Sequence, residues 1–429
     1  MNVLLVNTSE RIGGAAVAAN RLMKALQNEV VNAEMLVLDK QTNNFNIHFL
    51  NTSWIKKKIS WFRFLYERLI IFCLNKFDRI NLFKISIANT GTNISNHPLV
   101  KNADIIHLHW INHNFLSLKN IKQLIDLNKP IVWTMHDMWA CTGICHHARE
   151  CTNYQQECGQ CFYLHSSNPK DISYRIFSKK KKILQHKNIT YAGCSHWMAE
   201  RAKLSALTHE ENIYSIPNPI DTNIFRKINR EKAREQLGLP QNKYLLLFGA
   251  VNVTDKRKGL DYLIEGLKYV KRQFPSIYNQ MELVIFGQIK SEIRPLFDIP
   301  IHPMNFLRDE ETIVNLYNAV DLFVTPSLDE NLPNTIMEAM ACGTPCVGFN
   351  TGGIPEMIDH EVNGYVAQYQ DVEDLAKGIQ WVLNNPDIEK LSGSCREKVL
   401  EKYAEPVVAK EYITLYKNLL VKGRDTFFE

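Results

Sequence analysis

The sequence lacks any run of about 20 consecutive apolar residues, the length that a helix needs to span a bilayer. Its first ten residues, MNVLLVNTSE, are too short and too poor in flanking charge for a secretory signal peptide. A large excess of one charge is also missing, since 50 Lys and Arg against 45 Asp and Glu give a net charge of +5. This balance does not indicate a nucleic-acid partner. We therefore expect a cytoplasmic protein without a membrane-spanning segment.

Cysteine is too sparse for a secreted disulfide scaffold, with ten residues in a chain of 429, so reduced thiols are expected. Five of the ten lie in one insertion, CTGICHHARECTNYQQECGQC (141–161). The spacing Cys158-x2-Cys161 lets two thiolates bind one tetrahedral ion, and Cys145 and Cys151 complete a four-thiolate set. The pattern predicts a structural zinc site at these four residues, and the alternative is a loop of free thiols.

Short apolar runs alternate with helical patterns along most of the chain. The run NVLLVN is followed by TSERIGGAAVAANRLMKAL, in which helical spacing starts after Gly13-Gly14. A second series begins near residue 243 with KYLLLFGAV. The pattern predicts an α/β fold of two doubly wound parallel-sheet domains. The expected boundaries are 1–212 for the first domain, 213–400 for the second, and 401–429 for a helix that crosses back to the first domain.

The stretch SLDENLPNTIMEAMACGTP contains two glutamates, Glu330 and Glu338, with seven residues between them. A strand, a loop and a helix with Asn334 as its N-cap are expected here. A fully helical eight-residue step spans ~12 Å, whereas glycosidase carboxylates lie ~5–9.5 Å apart, so a glycosidase is disfavoured. The helix N-terminus between the glutamates suits a diphosphate. The pair is thus expected to hold two ends of one elongated ligand.

The segment ENLPNTIMEAMACGTPCVGFNTGGIPEMI, followed by NGYVA, resembles the donor signature of retaining glycosyltransferases of the GT-B fold. The similar family is family four, the glycosyl transferases group 1, of bacterial cell-envelope type. The resemblance implies two Rossmann-like domains that face each other across a cleft, the first binding acceptor and the second donor. It implies that Glu330 contacts the donor sugar and Glu338 the ribose. Asn334 and Thr335 would meet the diphosphate at the helix start.

Other segments extend the resemblance over most of the chain. FGAVNVTDKRKGLDYLIEGL is similar to the family segment whose lysine binds the donor diphosphate, which implies Lys258. The family's arginine is replaced by Ala250, so Arg257 is the expected substitute. At the other end, Gly13 and Gly14 match the family's glycine-rich phosphate loop.

The acceptor side is implied by two strand ends. TMHDMW contains His136, at the position where the family's histidine reaches toward the transferred sugar. HLHWINHNF ends the preceding strand, so His109, Asn112 and His113 are expected to line the acceptor pocket.

The resemblance implies a retaining transferase that moves a sugar from a UDP- or GDP-sugar to a saccharide or lipid-linked acceptor, in surface polysaccharide synthesis. Glu330, His136 and Lys258 are the expected catalytic residues. No catalytic metal is expected, because no Asp-x-Asp lies at a strand end. The alternatives are a sugar-nucleotide epimerase of the same architecture and a zinc-stabilised, non-enzymatic binding protein.

One segment departs from the α/β rhythm. Residues 54–77, WIKKKISWFRFLYERLIIFCLNKF, mix Lys and Arg with aromatic and aliphatic residues at helical intervals. Such a basic amphipathic helix can lie on an anionic membrane, here the cytoplasmic face of the inner membrane. The alternative is a domain helix with a solvated basic face.

Overall fold

A computed structural model describes residues 1–166, 168–185, 187–288, 291–304, 307 and 309–425. The chain divides into two compact units. The first contains Met1–Pro219 and the stretch from Val408 onward, and the second contains Ile220–Val407.

The first unit is built on a seven-stranded sheet whose described pairings are all parallel. Its strands are β1 (Asn2–Val6), β2 (Asn32–Val37), β3 (Ile47–Phe49), β4 (Ile105–Leu108), β5 (Ile131–Met135), β6 (Ile189–Gly193) and β7 (Asn212–Ser215). Its helices are α1 (Gly14–Asn28), α2 (Trp54–Leu74), α3 (Pro98–Asn102), α4 (Leu118–Ile125), α5 (Ile172–Leu184) and α6 (His196–Lys203). Short 3-10 turns cover Met138–Cys141 and Asn153–Gln155. The central strands are apolar and buried, as expected for a sheet covered on both faces.

The second unit contains a six-stranded, all-parallel sheet. Its strands are β8 (Tyr244–Asn252), β9 (Met281–Gln288), β10 (Ile301–Pro303), β11 (Leu322–Thr325), β12 (Cys346–Phe349) and β13 (Gly364–Ala367). Its helices are α7 (Arg230–Leu237), α8 (Leu260–Gln273), α9 (Pro275–Tyr278), α10 (Glu310–Ala319), α11 (Asn334–Ala341), α12 (Ile354–Met357), α13 (Val372–Leu383) and α14 (Ile388–Lys402). Short 3-10 helices cover Lys256–Lys258 and Ser291–Leu296. The two predicted doubly wound parallel sheets are therefore confirmed.

The last helix, α15 (Glu405–Asp425), continues past the division at Val407/Val408. Its apolar residues from Val408 to Tyr416 belong to a core of the first unit that also contains Val3 and Leu5 of β1. Two tyrosine hydroxyls fix the helix to the sheet. Tyr416 Oη lies 2.6 Å from His107 Nδ1, and Tyr412 Oη lies 2.7 Å from Thr134 Oγ1.

Each sheet contains one point where the order of its strands reverses. The strand order is β3-β2-β1-β4-β5-β6-β7 in the first unit and β10-β9-β8-β11-β12-β13 in the second. The reversals therefore lie between β1 and β4 and between β8 and β11. In open α/β sheets, ligands bind beyond the carboxyl ends of the strands at such points.

No helix in the described part of the chain has the length and apolar character required to cross a bilayer.

Candidate functional site

In the second unit, the loop after β11 is held by the segment that follows β8. Gly259 adopts a φ of 74°, and a Cβ there would lie 1.8 Å from the Pro326 carbonyl oxygen. Only glycine permits this close approach in this conformation. The Leu328 amide also donates to the Arg257 carbonyl over 2.7 Å. The two loops at the strand reversal are thus joined through their backbones.

The same loop is held on its other side by the turn after β12. Gly352 has a φ of 56°, and a Cβ there would lie 1.6 Å from the Glu330 carbonyl oxygen. The Gly353 amide donates to the Asn331 carbonyl over 2.8 Å. Contacts from both neighbouring turns therefore fix the backbone of Glu330. The position from which its side chain extends is thus defined.

The structure brings the predicted residues Lys258 and Glu330 together. Lys258 Nζ forms an ion pair with Glu330 Oε1 at the strand reversal. The Lys258 side chain is 31% exposed and the Glu330 side chain is 14% exposed, so the lysine is the more accessible member of the pair. A cation and a carboxylate at this edge can bind the phosphate and the hydroxyl groups of one ligand.

Arg257 is engaged by Asp255, a residue that the sequence analysis did not single out. Asp255 caps the 3-10 helix Lys256–Lys258, and its Oδ2 lies 2.7 Å from Arg257 Nη2. Burial alone would lower the pKa of Arg257, but Asp255 outweighs it and raises this pKa above its ordinary value. Asp255 therefore fixes the guanidinium in its charged form beside Lys258. An acidic residue two positions before Arg257 in the sequence could have indicated this pairing.

Glu338 lies inside α11, where Tyr317 Oη donates a hydrogen bond of 3.1 Å to Glu338 Oε2. Tyr317 is fully buried on α10, so this contact orients the carboxylate. The N-cap prediction was wrong by one residue, because Pro333 is the N-cap and Asn334 is the first helical residue. The φ of −69° at Pro333 fits the entry to a helix. Asn334 and Thr335 therefore supply backbone amides at the helix start.

In the first unit, Gly13 and Gly14 lie at the start of α1, after β1. Gly13 is the N-cap, with a φ of 92°, and a Cβ there would meet nothing within 4 Å. No side chain in the described part of the chain caps this helix. Nearby, Thr8 N donates to Trp110 O over 2.8 Å, and Trp110 N donates to Asn7 Oδ1 over 2.9 Å. These bonds join the loops after β1 and β4 at the strand reversal.

His136 and His109 form a pair at the ends of β5 and β4. His109 Nδ1 lies 2.9 Å from His136 Nε2. Burial lowers the pKa of His136 to about 4 and that of His109 well below its ordinary value. Both imidazoles are therefore neutral near pH 7, with one proton shared along the hydrogen bond. His109 Nε2 is buried and has no partner among the described residues.

Asp137, next to His136, accepts three hydrogen bonds. Trp110 Nε1 donates to its Oδ2 over 2.8 Å, His146 Nδ1 lies 2.7 Å from the same oxygen, and Trp139 N donates to Oδ1 over 2.8 Å. Burial would raise the pKa of Asp137, but His146 and these bonds outweigh it and hold this pKa far below its ordinary value. His146, which comes from the cysteine-rich insertion, is thereby tied to the strand that carries His136.

These residues surround a small pocket. The pocket is lined by His109, Trp110, Asn112, Trp133, Thr134, Met135, His136, Asp137, Trp139 and Ala140. Of the residues expected to line an acceptor pocket, His109 and Asn112 contribute to it. His113 is not among the lining residues and packs edge-on against Trp110 and Phe64.

The structure does not support the predicted zinc site. Cys145, Cys151, Cys158 and Cys161 all line one apolar cavity, yet no three His, Cys, Asp or Glu side chains among the described residues are arranged to hold a metal ion. Burial raises the pKa of Cys145 to about 11 and that of Cys158 to about 12. Cys145 and Cys158 are buried in the core of the insertion.

The two doubly wound parallel sheets have the architecture of the GT-B fold. Residues 229–401 match the model of the family described as glycosyl transferases group 1. An uncharacterized glycosyltransferase of Methanocaldococcus jannaschii is 27% identical over 332 residues, covering 74% of this chain and 76% of the relative. Alignments with three further curated relatives span 51–57% of their length.

Solved structures agree in fold. Sucrose-phosphate synthase from Thermosynechococcus elongatus superposes with a TM-score of 0.66 at 19% identity, covering 98% of this chain and 100% of that chain. Anabaena HepE in complex with UDP and glucose gives a TM-score of 0.60 at 16% identity, covering 97% and 99%. The chain therefore has the GT-B fold, and its residues 229–401 are similar to glycosyl transferases group 1.

Proposed function

We propose that the protein is a retaining glycosyltransferase that moves a sugar from a UDP- or GDP-sugar to a saccharide or lipid-linked acceptor during surface polysaccharide synthesis in the cytoplasm. The observation that carries the proposal is the Lys258–Glu330 pair, fixed by Gly259 and Gly352 at the strand reversal of the second unit. HepE, which shares the fold, is described with UDP and glucose, and this supports a nucleotide-sugar donor.

The donor would extend along the segment from Glu330 to Glu338. Its diphosphate would lie at the start of α11, where the backbone amides of Asn334 and Thr335 and the helix dipole favour negative charge. Lys258 would exchange part of its ion pair with Glu330 for the phosphate, and Arg257 would add positive charge beside it. Glu338, oriented by Tyr317, would accept hydrogen bonds from the ribose.

In the transfer step, the bond from the anomeric carbon to the phosphate oxygen breaks, and a bond from the acceptor oxygen to that carbon forms on the same face. The departing phosphate takes the acceptor proton, so the products are a nucleoside diphosphate and the glycosylated acceptor. Lys258 and the α11 amides would stabilise the charge that develops on the phosphate. Gly13 and Gly14, at the start of α1 in the first unit, would offer backbone amides to a phosphate.

His136 would orient the acceptor or the transferred sugar. Its imidazole is neutral near pH 7, so it offers a hydrogen bond without adding a second cation. His109 fixes its orientation through the 2.9 Å contact. Glu330 would bind sugar hydroxyl groups, as its 14% exposed carboxylate and fixed backbone allow.

The experiment is a thermal-shift screen of the purified protein with UDP-, GDP- and ADP-sugars. We expect one nucleotide class to stabilise the protein and Glu338→Ala to lose most of that shift. Glu397→Ala is the matched control, because Glu397 is exposed on α14 of the same unit. The absence of a shift with every nucleotide would overturn the proposal. Release of free nucleotide and altered sugar without an acceptor would identify an epimerase instead.

A further inference from the structure

Helix α2 packs onto the first unit through its polar side. The residues that it buries are Ser60, Glu67, Arg68 and Ile71, which recur at helical spacing along one face. The Glu67 carboxylate accepts hydrogen bonds from Ser86 Oγ over 2.7 Å and from the Ile87 and Ala88 amides over 2.8 and 3.0 Å. It also forms an ion pair of 2.9 Å with Arg68. The inward face is thus held by a polar network rather than by apolar packing alone.

The opposite side of α2 is apolar and exposed. We call Ile55, Ile59, Phe62, Tyr66 and Leu69 the outer face. Their exposed fractions are 53%, 45%, 62%, 54% and 57%, and their alternating spacing of four and three residues places them in one stripe. An ordinary surface helix buries its apolar face, whereas α2 buries a polar face and exposes an apolar one. The outer face therefore needs a partner outside its own domain.

The apolar surface extends beyond the outer face. Trp54 and Trp61 on the same helix are 66% and 55% exposed. After the helix, Phe77, Ile80 and Phe83 are 69%, 75% and 61% exposed. Exposed apolar side chains in this number, on one helix and the segment after it, mark a surface for a protein or a membrane.

The charge around the outer face is positive. The segment 53–84 contains Lys56, Lys57, Lys58, Arg63, Arg68, Lys76, Arg79 and Lys84. Its two acidic residues are Glu67, which is buried, and Asp78, which lies 2.8 Å from His165 Nε2. Lys56, Lys57 and Lys58 are exposed in the first turns of α2, and Lys58 Nζ lies 4.8 Å from the centre of the Trp54 ring. The partner must therefore offer both an apolar region that these side chains can enter and negative charge beside it.

We propose that the outer face of α2 binds the surface of an anionic lipid bilayer, with the helix in the plane of the interface. Aromatic residues of this kind favour the headgroup level, and lysines bury their stems while their ammonium groups reach lipid phosphates. A protein partner is less well matched, because lysine is depleted at the centres of protein interfaces. A second copy would set positive surface against positive surface. The proposal does not depend on the identity of the donor.

The test is co-sedimentation of the full chain with vesicles of phosphatidylcholine alone or mixed with phosphatidylglycerol. We expect binding to the mixed vesicles and little to the neutral ones. The double variant Phe62→Ser, Leu69→Ser should lose most of the binding, because both side chains are exposed and insert. Each of Lys56, Lys57 and Lys58 changed to Gln should weaken binding roughly fivefold.

The matched control is Val362→Ser with Leu400→Ser, which removes two exposed apolar side chains, 57% and 42% exposed, from the second unit. It should bind like the unaltered chain. All variants are checked for folding by thermal unfolding and for the nucleotide shift described above, which separates membrane binding from donor binding. The proposal is overturned if the Phe62, Leu69 variant binds as before, if neither vesicle type is bound, or if that variant converts a dimer into a monomer.

Discussion

At the scale of single residues, Lys258 is the group whose charge matters most to the proposed reaction. It shares its 3-10 helix with Lys256, and the two side chains differ in their surroundings. Lys258 contacts Glu330 at the strand reversal, whereas Lys256 is exposed to solvent. The chain therefore contains a natural control for the effect of position on one kind of charge.

We predict that Lys258→Ala weakens the binding of the matching nucleoside diphosphate by roughly 10–100-fold, because a hydrogen bond to a charged group contributes about 1.5–3 kcal/mol. Lys256→Ala should leave the affinity nearly unchanged. Titration calorimetry with the nucleotide that the thermal-shift screen identifies measures both. Equal losses in the two variants would show that only general positive charge is needed.

At the scale of elements, the site depends on two loops that approach each other through glycine. The Cβ that Gly259 lacks would overlap the Pro326 carbonyl oxygen, and the φ of 74° is itself unfavourable for other residues. The backbone of Gly259 therefore sets the distance between Lys258 and the loop that carries Glu330.

We predict that Gly259→Ala lowers the free energy of unfolding by at least about 1–2 kcal/mol, since left-handed backbone conformation alone costs that much for a residue with a Cβ. It should also weaken nucleotide binding, because Lys258 is adjacent. Urea unfolding and calorimetry measure the two effects.

Gly393→Ala in α14 is the control for this substitution. A Cβ there meets nothing within 4 Å, so the helix propensity of alanine should stabilise the protein by about 0.5–1 kcal/mol. If Gly259→Ala were equally harmless, the close approach to Pro326 would not be required.

The sequence was sufficient for the parts of the fold that depend on local pattern. Alternating apolar runs and helical spacing predicted both parallel sheets, and the resemblance to the glycosyltransferase segments implied that Lys258 and Glu330 bind one donor. The partners of these groups could not be predicted in the same way. Tyr317 and Glu338 are 21 residues apart, and their contact arises only when α10 and α11 pack.

Helix α2 shows a second limit of sequence reasoning. Periodicity indicated an amphipathic helix, but it could not tell which face turns inward. An apolar face normally packs on the core, yet here Glu67 satisfies the amides of Ile87 and Ala88, so the polar face is buried. The direction of the helix is decided by backbone groups distant in sequence.

At the scale of the molecule, several buried histidines of the first unit are neutral in the folded state. Burial lowers the pKa of His107 to about 3 and those of His113 and His136 to about 4. The unfolded chain binds more protons than the folded one below the ordinary histidine pKa. The stability of this unit is therefore complete above that pKa and falls as the pH drops toward 4.

We predict a loss of about 1.4 kcal/mol per pH unit for each of these histidines between about pH 6 and pH 4.5. Tryptophan fluorescence during urea unfolding reports mainly this unit, since six of the seven tryptophans, all but Trp381, lie in it. His107→Gln should make the dependence of stability on pH shallower, because it removes one titrating group. Glutamine can still form a hydrogen bond with Tyr416. A slope for His107→Gln equal to that of the unaltered chain would contradict the assignment.

The return of α15 to the first unit has a consequence for biosynthesis. The ribosome delivers β1 to β7 long before Tyr412 and Tyr416, so the first unit emerges without the helix that covers Val3 and Leu5. While the second unit is being translated, His107 and Thr134 lack their hydrogen bonds to the hydroxyl groups of Tyr416 and Tyr412. Maturation of the first unit is thus coupled to synthesis of the stretch from Val408 onward. A prematurely terminated chain would leave an apolar sheet face uncovered and open to chaperones and proteases.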